Sequence, residues 1–235
     1  MDLSVIIPAY NEERTLEAVL QKISRTLSDS PYSYQLIVVD DGSTDRTAEL
    51  VESFFLKNEL KNGCYSLVRK QNGGKGSAIR AGIPYAEGTY TIIQDADLEY
   101  EPTDIVRMMQ QITAEKADVL YGSRFLDKTN KHSYLSFYLG GRLVSLTTNI
   151  LYGQKLTDEP TCYKLFSTSL LKSIKLNCTG FEFCPEVTAK VAKRGYKIKE
   201  IPISYKPRTV SEGKKISWKD GVEAIWILLR YRFSK

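Results

Sequence analysis

A chain of 235 residues, 42% hydrophobic and 26% charged, has the composition of an ordinary soluble domain with enough apolar residues for one substantial core. Its net charge of +5 comes from Lys and Arg spread along the chain apart from one late cluster, so bulk electrostatics make no case for nucleic acid and leave only a local anionic partner open. The longest uninterrupted apolar run of the most lipid-like segment, Ala224 to Leu229, falls far short of the ~20 residues a membrane-spanning helix needs.

From the N-terminus, MDLSVIIPAY lacks a basic region and its apolar run stops at Pro8, so it reads as a first strand rather than a signal peptide, and the cytosol is the expected compartment. Short apolar runs then alternate with helix-like stretches: LSVIIP, Glu12 to Leu27, QLIVVD, Thr44 to Lys57, YSLVR, Lys75 to Glu87, YTIIQ, Thr103 to Glu115 and DVLYG. That alternation predicts βαβ units, hence an α/β fold with a mainly parallel central sheet and helices on both faces. Further on come a helix around Gly141 to Leu151, a YKLF run, a helix from about Pro185 to Lys193, a strand KIKEIPISY, a basic loop PRTVSEGKK and a closing helix. No repeat or Gly-, Ser- or Pro-rich linker breaks the chain, so residues 1–235 are expected to form a single domain. Cys64, Cys162, Cys178 and Cys184 make no CxxC pair, which favours reduced thiols over disulfides or a zinc site.

Ligands of parallel sheets collect at the carboxyl ends of the strands. The polar tips fall there: PAYNE after the first strand, DDGSTD after the second, QNGGKGS after the third and DADLE after the fourth. Asp95, Asp97 and Glu99 occupy alternate positions, so in an extended segment they project to one face, where three carboxylates want a cation. Hard oxygen ligands without nearby His or Cys favour Mg²⁺ or Mn²⁺ over zinc, although the spacing alone equally suits a solvated acidic turn before Pro102. Asp40 and Asp41 can accept hydrogen bonds from a ribose or base edge, with Gly42 allowing a tight turn and Ser43 or Thr44 capping a helix; a plain strand, turn and cap accounts for the same residues. QNGGKGS lacks the GxxxxGKS/T order because Gly76 follows Lys75, which argues against an ATPase, while a glycine loop opening a helix still suits phosphate with Lys75 as counter-charge. The single histidine, His132, lies in the polar segment DKTNKHSY with no GxSxG, so a Ser-His-Asp hydrolase finds no support.

Taken together and in this order, PAYNE, VVDDGSTD, GKGSAIRAG and QDADLEYEP resemble the family 2 glycosyltransferases with the GT-A fold, over essentially the whole chain. Within that family GSRF, TDEPTCYKLF and YKPRTVSEGKKISWKDG look most like the polyprenyl-phosphate sugar transferases, the group containing dolichyl-phosphate mannose synthase. The resemblance implies that Pro8, Ala9, Tyr10, Glu12, Asp40 and Asp41 line the nucleotide pocket, and that Asp95 and Asp97 hold a divalent ion bridging the donor's phosphates. Glu99 stands where the family often has Gln and is a third candidate ligand. Arg124, Arg142 and Arg208 match arginines around the acceptor phosphate, where a planar guanidinium suits bidentate binding, though each alone reads as a surface salt bridge. Lys214 and Lys215 would close a loop over the diphosphate. On this reading residues 1–125 form the nucleotide-sugar and metal-binding half, and residues 126–235 the acceptor-binding half.

The activity so implied is metal-dependent, inverting transfer of a hexose from a donor of the GDP-mannose or UDP-glucose type to a polyprenyl or dolichyl phosphate. Two other readings stay open: a family 2 transferase acting on a glycan or small soluble acceptor, and a non-catalytic nucleotide-sugar-binding subunit. The closing helix mixes Trp218, Trp226, Leu228, Leu229, Tyr231 and Phe233 with Lys219, Arg230, Arg232 and Lys235, which suits either an anionic membrane surface or packing on the core. The resemblance favours the membrane, at its cytoplasmic face, with a membrane-embedded partner as a further expectation.

Overall fold

The computed structural model describes residues 1–130, 134–208 and 217–234, so the expectations for His132, Lys214 and Lys215 lie outside the described residues. The first part of the chain supplies β1 (Leu3–Ala9), β2 (Tyr34–Asp40), β3 (Gly63–Arg69) and β4 (Tyr90–Ile93), all parallel and joined through α1 (Leu16–Ser28), α2 (Thr47–Lys57) and α3 (Lys75–Gly82). Every residue of β1 and β2 is buried, as a parallel sheet covered on both faces requires. In α1 the buried Leu16, Val19, Leu20, Ile23 and Leu27 recur at helical spacing and form one apolar stripe, each side chain contributing roughly 1.5–3 kcal/mol by leaving water. Registers from Leu3↔Tyr34 to Ala9↔Asp40 and on to Asp40↔Arg69 bring these strands to an end at one level, which sets their polar tips side by side.

The rest of the chain adds α4 (Thr103–Glu115), β5 (Val119–Ser123), α5 (Leu135–Tyr152), β6 (Lys164–Ser167), α6 (Thr168–Ser173), α7 (Phe183–Lys193), β7 (Lys199–Pro202) and α8 (Trp218–Phe233). One sheet runs through both halves in the order β3-β2-β1-β4-β6-β5-β7. It is mainly parallel, as expected, but β6 runs antiparallel between β4 and β5. Because of that reversal the residues leading into β6, Thr157 to Tyr163, arrive at the same edge as the tips of the parallel strands.

Several boundaries differ from the sequence expectation for local reasons. Glu12 to Thr15 form a turn rather than the first turn of α1, since the Glu12 N–H donates to Thr47 Oγ1 at 2.9 Å. Asp45 accepts from the Thr47 N–H at 2.9 Å and delays α2 to that residue. Pro84 sits in a short 3₁₀ turn, Ile83–Tyr85, that closes α3 early. The helix α5 begins before Gly141, and the short α6 was not foreseen.

One face of the closing helix packs on the core, one of the two readings offered for it. Leu228 is buried with Val144 of α5 and Ala189 of α7, Tyr152 Oη donates to the Leu228 carbonyl at 2.6 Å, and Tyr231 Oη donates to Glu186 at 2.7 Å. Its other face leaves Trp218, Val222, Trp226 and Phe233 exposed, beside the exposed Leu139, Leu143, Leu146 and Ile150 of α5. Among the described residues no helix is long and apolar enough to cross a membrane.

Candidate active site

The tips of β1 and β2 are tied together by their own side chains. Asn11 adopts the left-handed region at φ 54°, its N–H donating to Ser43 Oγ at 3.0 Å and its side-chain oxygen accepting from the Thr44 N–H at 2.8 Å. With the Glu13 N–H donating to Asp45 at 3.2 Å, PAYNE and DDGSTD make one wall, from which Pro8, Ala9, Tyr10 and Glu12 face a cavity. Asp41 also faces it, but its carboxylate accepts from the Gly73 and Gly74 N–H groups at 3.1 and 2.7 Å and pairs with Lys70. Asp40 stands behind the wall, accepting from the Ser43 N–H at 3.1 Å, and does not line the cavity. Glycine is required at two points of this wall: Gly42 has φ +73° and a Cβ there would lie 2.7 Å from Asn72 N, while Gly74 has φ +90° and its Cβ would lie 2.4 Å from the Thr179 carbonyl oxygen.

Beyond β4 the acidic residues meet two cations. Lys75, the first residue of α3, places Nζ 2.5 Å from Asp95 Oδ1, and the Cys162 thiol donates to the same oxygen at 3.0 Å. Arg208 places Nη2 2.5 Å from Asp97 Oδ2, Nε 3.8 Å from Glu99 and Nη1 3.9 Å from Glu12. Glu99 in turn accepts from Tyr205 Oη at 3.0 Å and from the Arg208 N–H at 2.7 Å. Among the described residues no three acidic, His or Cys side chains form a finished ligand cage, so Asp95, Asp97 and Glu99 share the cavity without converging on one point.

Four carboxylates here face two cations, and burial and mutual repulsion act on their protonation. Burial raises the Asp97 carboxyl, the charges of Asp95 and Glu99 raise it further, and Arg208 offsets only part, leaving it at about 7. Burial acts on Asp95 in the same sense, but the Lys75 ammonium and the hydrogen bonds of Lys75 and Cys162 outweigh it and hold Asp95 below the usual carboxylate value. For Lys75 burial works against the charge, and Asp95 overcomes it, so the ammonium is held well above the ordinary lysine range. A site whose carboxylate groups outnumber its cations, in which a guanidinium already stands as surrogate cation beside Asp97, fits a divalent ion such as Mg²⁺ or Mn²⁺.

The expected arginines separate. Arg124 lines the cavity and is clamped by Asp158, with Nε and Nη2 each 2.7 Å from a carboxylate oxygen and the backbone N–H at 2.8 Å. Arg208 lines it as described, whereas Arg142 is exposed on α5, 3.3 Å from the Thr157 carbonyl, and outside the lining. Sequence reasoning singled out neither Asp158, nor Glu200, which accepts from the Thr157 and Asp158 N–H groups at 2.7 and 2.9 Å, nor Asn11 or Cys162 as parts of the site. The available signal was TDEPTC, whose acidic pair stands a few residues before the YKLF run.

The cavity encloses about 1040 Å³. Its lining combines the polar groups described with apolar residues of α5, α7 and α8, among them Phe137, Val144, Phe183, Trp218, Val222 and Ile225.

The fold and this strand-end site define the class. The chain superposes on a crystal structure of glucosyl-3-phosphoglycerate synthase from Mycobacterium tuberculosis in complex with UDP, with a TM-score of 0.72 at 20% identity, covering 98% of this chain and 80% of that one, and the shared fold is GT-A. Other crystal structures of that protein contain Mn²⁺ or Mg²⁺ together with UDP. The model of glycosyl transferase family 2 matches residues 4–175, and the chain belongs to that family. Among curated relatives, the dolichyl-phosphate beta-glucosyltransferase of Dictyostelium discoideum is 31% identical over 98% of this chain and 74% of its own length. The dodecaprenyl-phosphate galacturonate synthase of Rhizobium johnstonii is 29% identical over 88% of this chain, which spans only 60% of that relative's length.

Proposed function

We propose that this glycosyltransferase moves a hexose, with inversion, from a nucleotide sugar of the GDP-mannose or UDP-glucose type to a polyprenyl or dolichyl phosphate at the cytoplasmic face of a membrane. Residues 1–125 serve mainly the donor and residues 126–235 mainly the acceptor, with Arg124 at the boundary. The observation that carries this reading is that one cavity is lined both by carboxylates and cations and by apolar residues of α5 and α8, two helices that also expose large apolar side chains. A phosphate on an isoprenoid chain presents that same pair of surfaces. The Dictyostelium and Rhizobium relatives, named for dolichyl and dodecaprenyl phosphates, point the same way.

In the proposed reaction the base and ribose lie against Pro8 to Glu12, and the diphosphate reaches Asp95 and Asp97, which would hold the divalent ion. Bound there, such an ion supplies Lewis-acid stabilisation to the departing diphosphate. Lys75, held protonated by Asp95, adds positive charge on the same side. Arg124, fixed by its two bonds to Asp158, and Arg208 orient the acceptor phosphate for attack on the anomeric carbon as the bond to the diphosphate breaks. An ionised phosphate is already a nucleophile, so no strong base is needed to activate it. Incubation with Mn²⁺, a panel of labelled GDP- and UDP-sugars and a short polyprenyl phosphate tests this: a lipid-linked sugar is the expected product, and transfer only to non-phosphorylated or water-soluble acceptors would refute it.

A further inference from the structure

Asn130 has no role in the reaction as derived, and it does not line the cavity. Its side chain nevertheless bonds to both chain segments that carry the cavity arginines. Nδ2 donates to the Arg124 carbonyl and to the Ile203 carbonyl, both at 2.8 Å, and Oδ1 accepts from the Tyr205 N–H at 2.8 Å. Two carbonyls on one side and an N–H on the other fix which end of the amide is which.

The sheet explains why an amide stands there. Arg124 directly follows β5, and Arg208 lies on the chain that leaves β7. The two strands pair in parallel up to Ser123↔Pro202, and the Ile203 N–H still donates to the Ser123 carbonyl at 3.1 Å. Past that point the ladder stops, and the Arg124 and Ile203 carbonyls and the Tyr205 N–H need other partners, since folded chains rarely leave backbone groups unpaired. The Asn130 side chain takes the place of the missing peptide group. The strands beneath do not depend on it: Ile203 is buried and packs so closely on Gly122 that a Cβ there would lie 2.7 Å from its side chain. What Asn130 adds is the spacing of the two chain ends above the ladder. Other anchors of the β7 end lead elsewhere, with the Ser204 N–H donating to Asp104 of α4 at 2.7 Å and the Lys206 N–H to the Glu99 carbonyl at 2.8 Å, whereas Asn130 ties it to Arg124. Above this tie the Arg124 guanidinium stands 5.1 Å from the centre of the Tyr205 ring, and Arg124, Tyr205 and Arg208 all line the cavity.

Two guanidiniums from separate segments can grip one phosphate only at a set separation. We propose that Asn130 is a positioning residue for the acceptor, fixing the spacing of the segments that bring Arg124 and Arg208 to its phosphate. The assignment rests on the reaction proposed above.

Steady-state kinetics with Mn²⁺, the sugar nucleotide that the wild type uses and farnesyl phosphate as acceptor test this on Asn130→Ala and Asn130→Asp, with melting curves to verify folding. Alanine removes all three bonds; aspartate keeps the acceptor for the Tyr205 N–H and sets an oxygen where both donors stood. In both variants kcat/KM for farnesyl phosphate is expected to fall about tenfold, while KM for the sugar nucleotide and the rate of donor hydrolysis without acceptor stay within about twofold of the wild type. A merely structural role would move all three together. Equal losses on the donor and acceptor sides, no loss on either, or failure of both variants to fold overturns the positioning role and leaves the proposed reaction standing. Failure of the wild type to glycosylate farnesyl phosphate or a longer polyprenyl phosphate overturns that reaction, and this inference with it.

Discussion

The two walls of the cavity are held by different forces. On the β1–β2 side, side chains of PAYNE and DDGSTD bond to one another's backbone across more than 30 residues of sequence, and two glycines at positive φ let loops approach closer than any Cβ allows. On the α5–α8 side a small apolar cluster around Val144, Ala189 and Leu228 holds helices whose outer faces remain uncovered. Many directional bonds fix a geometry to a fraction of an ångström, which a polar donor demands; a few apolar contacts leave a surface that a flexible hydrocarbon can meet in several ways. The contrast assigns precision to the proposed donor wall and tolerance to the proposed acceptor wall.

Substitutions that strike the two walls should differ accordingly. The largest effect is expected for Asp97→Ala, which removes a carboxylate beside the proposed ion and should lower transfer on the order of 10³-fold in a radiolabelled-sugar assay, with the melting temperature little changed. A folded variant that retains near wild-type turnover would contradict the metal role. Next, Arg208→Ala should reduce transfer to a polyprenyl phosphate by about 10²-fold while slowing donor hydrolysis far less, because its guanidinium is assigned to the acceptor phosphate. Equal losses in both assays would move Arg208 to the donor side.

Smaller effects probe the helical wall. Burial raises the Glu186 carboxyl, but hydrogen bonds from Lys190, Tyr231 and the Asn177 and Cys178 N–H groups more than offset it and leave the pKa below the usual glutamate value. A depressed folded-state pKa contributes stability that is present above the unfolded value, about 4.3, and disappears as pH falls through the folded value. Glu186→Gln should therefore cost about 2 kcal/mol in urea unfolding at pH 7, with the difference shrinking below pH 4; a pH-independent difference would show that charge is not the cause. Smallest in its effect on folding, the pair Leu146→Glu and Trp226→Glu alters exposed residues only, and each should weaken co-sedimentation with vesicles containing anionic lipid roughly tenfold while leaving stability within about 0.5 kcal/mol. Unaltered vesicle binding would leave this face without its proposed lipid contact.

The same division explains what the sequence revealed. Apolar runs ending in polar clusters marked β1, β2 and β4 and their tips directly, because burial on both faces of a parallel sheet favours runs of Val, Ile and Leu, whereas the edge strand β3 is only partly buried. The direction of β6 was hidden, since four residues, KLFS, look alike in either orientation, and with it went the placement of Asp158 and Glu159 at the ligand edge. Asn11 and Asp41 acquire their roles from partners more than 30 positions away, Ser43 and Thr44 in one case and Gly73 and Gly74 in the other, so residue type alone left Asn11 unnoticed and suggested a ligand contact for Asp41, where the structure also shows loop anchoring. Arg142 matched a pattern whose helix turns it outward.

A crystal structure with Mn²⁺ and the nucleoside diphosphate that binds best addresses the excess of carboxylates over cations in the cavity most directly. The expected anomalous peak lies within about 2.2 Å of an Asp97 carboxylate oxygen and against the diphosphate, with the Arg208 guanidinium displaced from that carboxylate. Diphosphate bound in the cavity with no manganese near Asp95 or Asp97, and Arg208 still paired to Asp97, would contradict the account.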